Sequence, residues 1–180
     1  MLNSWKESRI YLREIVEEDW RTVHSYASIP SVSQYQPWGP NTEEQSKGYV
    51  NQIIREALHQ SRTRYAFGVL DRENHQFLGV GELNIRSKVN KQGELSYIVH
   101  PDFSGKGLAT ELAGMLIEYG FDKHHLHRIY ATGDVRNVAS YRVLEKNAMK
   151  KEGRLHEDLL VDNQWRDSYL YAILEQEWHS

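Results

Sequence analysis

The stretch Tyr97-Ile-Val-His-Pro-Asp-Phe-Ser-Gly-Lys-Gly-Leu-Ala-Thr-Glu111 decides the fold of this chain. An apolar strand ends before Pro101, a short loop contains Gly105 and Gly107 with a lysine between them, and a helical pattern begins near Leu108. Glycines let the backbone approach a ligand closely, and the free N–H groups at the start of a helix attract anions. These features predict a phosphate-binding loop.

The glycines alone also fit an ordinary strand-to-helix turn. A P-loop requires four residues between its first glycine and a Gly-Lys-Ser/Thr sequence, whereas Lys106 is followed by Gly107. A dinucleotide-binding Rossmann unit requires a third glycine and lies on the first strand of its domain, whereas this loop lies past the middle of the chain. Both of these nucleotide-binding classes are therefore excluded.

A second pattern, Asn137-Val-Ala-Ser-Tyr-Arg-Val-Leu-Glu-Lys-Asn-Ala-Met149, lies further along the chain. Taken alone, it indicates a short helix in which Asn137 is the N-cap and Ser140 either caps the helix or faces solvent.

Together the two patterns resemble the GCN5-related N-acetyltransferase (GNAT) superfamily, and within it the ribosomal-protein N-terminal acetyltransferases. The first stretch is similar to the family's acyl-CoA pyrophosphate loop, with Asp102 where many members have Gln or Arg. The second is similar to the Asn-x-x-Ser-x-Arg-x-Leu-Glu-Lys-x-Gly-Phe signature, with Ala148 and Met149 in place of Gly-Phe. The predicted order of strands and helices is also that of the family, so the resemblance covers nearly the full chain.

Hydrophobic periodicity predicts seven strands and four helices. The strands are Ile10–Ile15, Tyr65–Leu70, Phe77–Arg86, Glu94–Val99, Ile129–Asp134, Lys150–Leu160 and Trp165–Leu174. The helices contain Trp20 to Ala27, span Thr42 to Gln60, begin near Leu108, and run from Asn137 to about Lys146. Pro30 to Pro40 contains three prolines and is predicted to be an irregular loop, and Asn90 to Gly93 is predicted to be a turn.

The resemblance implies an α+β, three-layer fold, in which a mixed, mostly antiparallel sheet of about seven strands has helices on both faces. In the family, one parallel pair of strands separates at the centre of the sheet, and the pantetheine arm of acetyl-CoA inserts there. By analogy, the separation lies between Glu94–Val99 and Arg128–Asp134. The acetyl-CoA-binding residues are then expected to be Ile98, Val99, Ser104, Gly105, Lys106, Gly107, Leu108, Ala109, Thr110, Asn137 and Ser140.

Acetyl transfer to an amine requires a neutral nucleophile, a polarised thioester carbonyl and a proton for the departing thiolate. The N–H near Val99, freed where the strands part, is the candidate for holding the thioester oxygen. Ser140, or alternatively Tyr141, is the candidate donor to the sulfur. Glu82 and Glu94 lie on strands that flank the expected gap, and either could be the base, directly or through water. Both also fit solvated strand carboxylates.

The sequence contains fewer patterns that indicate the acceptor site. An irregular loop with Tyr35 and Trp38 could form a wall of the acceptor pocket, as the corresponding region does in the family, or could pack against the core. Asp167 matches an acidic position in the family's last strand that could hold an acceptor amine. An α-amine, with a pKa of about 7.8, keeps a useful neutral fraction at pH 7, whereas a lysine, at about 10.4, needs much more help.

We therefore predict an acetyl-CoA-dependent N-acetyltransferase that acetylates a primary amine by direct transfer in a ternary complex. The resemblance to one branch of the family points to a protein N-terminal α-amine as the acceptor. The alternatives are a small-molecule amine, such as a polyamine, an amino acid or an antibiotic, and a non-catalytic acyl-CoA-binding module.

The composition of the chain bounds these expectations. Its 180 residues predict a single domain over residues 1–180, and family members are often monomers or homodimers. The net charge of −3, from 22 Lys and Arg against 25 Asp and Glu, gives no basic footprint for nucleic acid. The absence of cysteine excludes disulfides, a catalytic thiol and a cysteine-ligated metal.

Targeting segments and metal sites are not expected either. Met1 to Glu7 lacks the apolar run of a secretory signal, and no long apolar run follows, which predicts a soluble, cytoplasmic protein without membrane contact. His124, His125 and His127 come where a helix ends, with no Cys or carboxylate at ligand spacing, so no metal site is predicted.

Overall fold

Seven strands and six α-helices form the framework of the protein in the computed structural model, which describes residues 7–178. The strands are β1 (Ile10–Glu14), β2 (Arg64–Asp71), β3 (Phe77–Ser87), β4 (Gln92–Val99), β5 (Arg128–Asp134), β6 (Lys150–Val161) and β7 (Gln164–Leu174). The helices are α1 (Trp20–Ala27), α2 (Pro30–Ser33), α3 (Glu43–Ala57), α4 (Leu108–His124), α5 (Val138–Lys146) and α6 (Glu175–Trp178). The prediction for Met1 to Glu7 concerns residues that, apart from Glu7, lie outside the described range.

All seven strands belong to one sheet, in the order β1-β2-β3-β4-β5-β7-β6. Every neighbouring pair is antiparallel except β4 and β5, which are parallel. This arrangement confirms the predicted mixed, mostly antiparallel sheet. The parallel pair lies at the centre, where the chain passes from β4 through α4 to β5.

Helices cover both faces of the sheet because successive strand residues point to opposite faces. On one face, Leu83 of β3 packs in a buried cluster with Ile117 of α4. On the other face, Val80 of the same strand packs with Val23 of α1 and Val50 of α3. Each such side chain contributes about 1.5–3 kcal/mol by burial, so the two clusters fix α4 on one side of β3 and α1 and α3 on the other.

The segment Pro30 to Pro40 is not irregular throughout, as the sequence prediction had it, because it begins with α2. Pro30 occupies the first position of this helix, where a missing N–H costs no intrahelical hydrogen bond. The next helix begins as its capping box predicts, with the Thr42 hydroxyl accepting from Gln45 N–H and the Gln45 side chain accepting from Thr42 N–H. It ends at Ala57, three residues before the predicted Gln60.

Strand β4 begins at Gln92, inside the predicted turn of Asn90 to Gly93. Gln92 and Gly93 pair with β3 on one side and with β5 on the other. Tertiary pairing therefore overrides the local turn preference of this stretch. The short terminal helix α6 was also missed by the sequence prediction.

Candidate active site

The central parallel strands separate as the sequence predicts. β4 and β5 are paired only over Gln92 to Glu94 and Arg128 to Tyr130, and the remaining residues of both strands diverge. Within the described chain, the last five residues of β4 therefore have a strand partner only in β3. An opening in the middle of a sheet exposes backbone N–H and C=O groups that a ligand can bind.

The register of β3 and β4 fixes which backbone groups face this opening. His100 donates its N–H to the carbonyl of Leu78 at 2.7 Å, and N–H groups alternate between the two edges along an antiparallel strand. The N–H of Val99 therefore points away from β3 and toward the opening. This is the donor that the sequence analysis expects near Val99.

The glycine loop after β4 has the backbone geometry that only glycine adopts readily. Gly105 and Gly107 have φ of 77° and 80°, in the left-handed region. Gly107 is the N-cap of α4, and its carbonyl accepts the N–H groups of Thr110 and Glu111, so the N–H groups of Leu108 and Ala109 have no acceptor within the helix. They lie at the positive end of a helix of 17 residues, an arrangement that favours a diphosphate group.

The second sequence pattern lies at the start of α5, close to β4. Asn137 caps this helix, and its side-chain oxygen accepts the N–H of Ser140 at 3.2 Å. The Tyr97 hydroxyl donates to the carbonyl oxygen of Ser140 at 3.0 Å and lies 3.4 Å from Ser140 Oγ. Across the separated strands, this side chain connects β4 to α5.

Sequence reasoning missed Tyr97 as a site residue, although the residue begins the decisive stretch. Burial raises the pKa of Tyr97 to about 12, so its hydroxyl stays protonated at neutral pH. The only signal in the sequence was its position in a strand expected to part from its neighbour. A tyrosine in a strand is more often an ordinary core residue.

A cleft of about 980 Å³ joins these elements. Its lining includes most of the predicted catalytic and acceptor residues together with the missed tyrosine: Tyr35, Trp38, Glu82, Glu94, Tyr97 and Ser140. A second cavity of about 440 Å³ shares Trp38, Glu82 and Tyr97 with the cleft and extends between α1 and α3. Residues that are far apart in sequence thus meet around one space.

The two candidate bases have different surroundings. Glu82 accepts hydrogen bonds from Arg64 at both oxygens, each at 2.8 Å, and from the Tyr49 hydroxyl at 2.5 Å. Glu94 accepts from Arg86 at Oε2, at 2.7 Å, and its Oε1 has only the Thr132 hydroxyl at 3.4 Å. Glu94 is also the last residue of β4 that pairs with β5, so it lies where the strands begin to separate.

The aromatic loop is held in place by arginines. Arg166 of β7 donates to the carbonyl of Gln34 at 2.7 Å, and the Arg136 guanidinium lies 5.6 Å from the ring of Tyr35. Asp134, which is 4% exposed, accepts hydrogen bonds from Arg136, and these lower its pKa. The structure brings Tyr35 and Trp38 to the cleft lining, which is one of the two locations left open by the sequence, and Trp38 also packs against the cluster that contains Val23.

Two other predicted residues have contacts directed elsewhere. The Asp167 carboxylate accepts the N–H of Glu157 at 2.9 Å and pairs with Arg154, and the pKa of Asp167 is lowered mainly by the first of these contacts. This carboxylate therefore bridges the irregular part of the β6–β7 pair. Tyr141 stacks on Tyr171 with 6.2 Å between ring centroids, next to Ser140 but among aromatic side chains.

The histidines at the end of α4 form no metal cluster. The ring of His124 lies 4.2 Å from that of Tyr65 and 5.0 Å from that of Tyr119. Among residues 7–178, no group of three His, Cys, Asp or Glu side chains could hold a metal ion. In the same part of the chain, no helix is long and apolar enough to cross a membrane.

The separated parallel pair, the glycine loop and the helix that follows it form the arrangement that the resemblance to the acetyltransferase superfamily implies. The family model described as the acetyltransferase (GNAT) domain matches residues 9–150. The chain belongs to this family and is an N-acetyltransferase, as its resemblance predicts. The family uses acetyl-CoA as the acetyl donor.

Relatives with different acceptors resemble this chain over nearly its whole length. The uncharacterized N-acetyltransferase YnaD of Bacillus subtilis is 34% identical, over 95% of this chain and 96% of its own. The ribosomal protein uS5-alanine N-acetyltransferase of Escherichia coli is 28% identical, over 94% of this chain and 90% of its own. The crystal structure of spermidine N-acetyltransferase from Vibrio cholerae with CoA and spermine superposes with a TM-score of 0.83, at 23% identity, over 96% of this chain and 99% of its own.

Proposed function

We propose that this N-acetyltransferase acetylates an α-amine, such as a protein or peptide N-terminus, by direct transfer from acetyl-CoA within a ternary complex. One relative acts on a ribosomal protein and a structural neighbour binds spermine, so similarity alone leaves both acceptor classes open. The charges in the cleft support the α-amine.

Each carboxylate in the cleft lining is paired with an arginine. Glu56 and Glu82 pair with Arg64 at 3.3 and 2.8 Å, Glu94 pairs with Arg86 at 2.6 Å, and Asp134 pairs with Arg136. A polyamine carries several ammonium groups and needs carboxylates whose charge is not already neutralised. A peptide N-terminus brings a single amine, which suits a cleft with neutralised acids.

The donor site is proposed to consist of the glycine loop and the opening beside β4. Gly105 and Gly107 shape the loop, the first N–H groups of α4 hold the diphosphate, and Lys106 adds positive charge. Backbone groups of Val99 are proposed to line the route for the pantetheine arm, and the predicted contact of Ile98 stays a proposal because its own N–H and C=O are directed to β3. The remaining predicted contacts of acetyl-CoA, including Ser104, Ala109, Thr110 and Asn137, stay proposals of the same kind.

The chain's own groups are assigned the following roles. When bound, acetyl-CoA supplies a thioester whose carbonyl carbon is attacked by the amine. The N–H of Val99 is placed to donate to the carbonyl oxygen, where negative charge develops. Ser140 donates a hydrogen bond to the leaving thiolate, and the proton that the amine loses returns to the sulfur through water. Tyr97 holds Ser140 through a hydrogen bond to its carbonyl oxygen, and Tyr141, which lies in an aromatic stack, is the alternative donor.

We assign proton removal from the amine to Glu94, directly or through water. Among residues 7–178, its Oε1 has a single long contact, whereas both oxygens of Glu82 are held by Arg64. An oxygen with a free lone pair can accept a hydrogen bond from an amine or a water molecule. Glu82 is then a structural ion pair that holds Arg64 and Tyr49 at the cleft wall.

Amine-dependent release of free thiol from acetyl-CoA tests the proposal. The acceptor panel contains peptides with a free N-terminus and one internal lysine, the same peptides with a blocked N-terminus, and spermidine. We expect release with free N-termini and little release with the blocked peptides. Thiol release with spermidine alone would contradict the proposed acceptor, and binding of acetyl-CoA without release by any amine would contradict the catalytic assignment.

A further inference from the structure

Three contacts join the beginning of β1 to the first turn of α4. Glu111, in that turn, accepts the backbone N–H of Arg9 at 2.9 Å and the Arg9 guanidinium at 3.2 Å. The Ser8 hydroxyl donates to the same carboxylate. The Arg9 guanidinium also donates to the carbonyl of Lys106, inside the glycine loop, at 2.9 Å.

The position of Glu111 creates an electrostatic conflict. A carboxylate in the first turn stabilises a helix by interacting with its dipole, but it also places negative charge where an anionic ligand is expected. The Glu111 side chain is only 14% exposed, so water screens its charge poorly. Without a counter-ion, this carboxylate would oppose the binding of a diphosphate.

Arg9 lies in the right place to resolve this conflict. A Cβ atom added to Gly107 would lie 3.6 Å from Arg9 Nη2, so the guanidinium contacts the surface of the loop. The backbone of Arg9 is fixed as well, because Arg72 N–H donates to its carbonyl at 2.8 Å and the Arg72 side chain donates to the carbonyl of Ser8 at 2.7 Å. The cation is therefore presented from an anchored strand end.

We infer that Arg9 is a positioning residue of the acetyl-CoA site. It holds the loop in its binding shape through the Lys106 carbonyl, and it neutralises Glu111 so that the diphosphate meets N–H groups without an opposing charge. This inference rests on the proposed use of the loop for acetyl-CoA. No motif in the sequence connects Arg9 to the loop, because the two are about 100 residues apart.

The affinities for CoA and for pantetheine, which lacks the diphosphate, are compared. This comparison separates binding that depends on the glycine loop from binding of the pantetheine arm. We expect Arg9→Ala to weaken CoA binding by about 10-fold or more, measured by titration calorimetry, and to leave pantetheine binding unchanged. The double variant Arg9→Ala/Glu111→Gln should recover part of the lost affinity, because the uncompensated carboxylate is gone while the contact with the Lys106 carbonyl stays lost. Arg9→Lys, which keeps the charge, should lie between Arg9→Ala and the unaltered protein.

Arg21→Ala serves as the matched control, because Arg21 is an exposed arginine whose guanidinium lies over Trp20. It should leave CoA affinity unchanged, and thermal melts of each variant check that it is folded. Equal CoA affinity of Arg9→Ala and the unaltered protein would overturn the inference, and a double variant as weak as Arg9→Ala would overturn the neutralisation of Glu111 by Arg9. If the unaltered protein binds CoA no more tightly than it binds pantetheine, the proposed assignment of the loop to the diphosphate itself fails.

Discussion

The proposed donor site and the proposed acceptor cleft share β4 but are built from different parts of the chain. The donor site consists mainly of backbone: two glycines with left-handed φ, the free N–H groups of α4 and the unpaired edge of β4. The acceptor cleft consists of side chains from distant elements, such as Glu82 on β3, Arg64 on β2 and the aromatic loop.

This difference determines how each half should respond to mutation. Backbone geometry in the donor site has one acceptable conformation, so a single disallowed φ removes several hydrogen-bond donors at once. Side chains in the acceptor cleft are held by pairs of contacts, so a single substitution removes one contact and leaves its partner unsatisfied. Donor-site changes should therefore abolish binding, whereas acceptor-side changes should be graded.

The largest effect is expected in the glycine loop. Gly105→Val forces a β-branched side chain into φ near 77°, and Gly107→Pro demands a φ that proline cannot adopt. We expect either variant to weaken acetyl-CoA binding by about 100-fold or more while the protein stays folded, measured by calorimetry and circular dichroism. Gly153→Val, at a position with no atom within 4 Å of an added Cβ, is the control. Unchanged affinity for acetyl-CoA in a folded loop variant would contradict the proposed dependence of the donor site on backbone geometry.

The next effect separates the two carboxylates of the cleft. Glu94→Gln should lower kcat by about 100-fold with little change in acetyl-CoA affinity, because it removes the proposed base. Glu82→Gln should lower kcat less but should reduce the urea midpoint of unfolding, because Arg64 loses its charged partner. A large loss of kcat in Glu82→Gln with a normal Glu94→Gln enzyme would reverse the assignment.

A smaller effect is expected where the two halves meet. Tyr97→Phe removes the hydrogen bond to Ser140 but keeps the packing of the ring, so kcat should fall by about 10-fold without a change in the KM for acetyl-CoA. In a Ser140→Ala background the same substitution should have almost no further effect on kcat. Additive losses in the double variant would show that Tyr97 acts independently of Ser140. Tyr119→Phe, in the aromatic group around His124, is the control.

The smallest effect lies outside both halves, at the end of α4. Burial, and then Arg62 and His125, lower the pKa of His124. The folded state therefore favours the neutral ring, so stability is highest above the unfolded-state pKa of about 6.5 and falls as the pH drops through the lower folded-state pKa.

His124→Gln should remove this contribution without changing activity at pH 7.5. The free energy of unfolding is measured in urea at pH 7.5 and again at pH 5. Its decrease from the higher to the lower pH should be smaller in this variant than in the unaltered protein. His127→Gln replaces an exposed histidine, so its free energy of unfolding should fall between pH 7.5 and pH 5 by as much as that of the unaltered protein. Equal losses in all three proteins would contradict the account of His124.

The same contrast explains what the sequence could predict. The glycine loop, the separation of β4 from β5 and the capping of α5 by Asn137 follow from local patterns and a family resemblance, and the structure has all three. Local patterns were strong there because glycine geometry and caps are properties of neighbouring residues. The fold and the acetyltransferase class were predicted from the family resemblance that these local patterns carry.

Side-chain pairing between distant elements could not be predicted in this way. Glu82 and Glu94 have nearly equal standing in the sequence, and contacts from distant residues distinguish them: Arg64 holds both oxygens of Glu82, whereas Arg86 holds one oxygen of Glu94. Asp167 had the expected location in its strand, but its contacts with β6 depend on an irregular pairing that no local pattern encodes. The acceptor is the least predictable feature because it depends on such pairs throughout the cleft.

The central claim is that an N-terminal α-amine, rather than a polyamine, is the acceptor that this cleft fits. The most direct measurement is a competition in which a peptide with a free N-terminus and spermidine are supplied together at equal concentration with acetyl-CoA, and mass spectrometry quantifies the two acetylated products. The account predicts that acetylated peptide is the main product and that Glu94→Gln suppresses it. Preferential acetylation of spermidine by the unaltered enzyme would contradict the account.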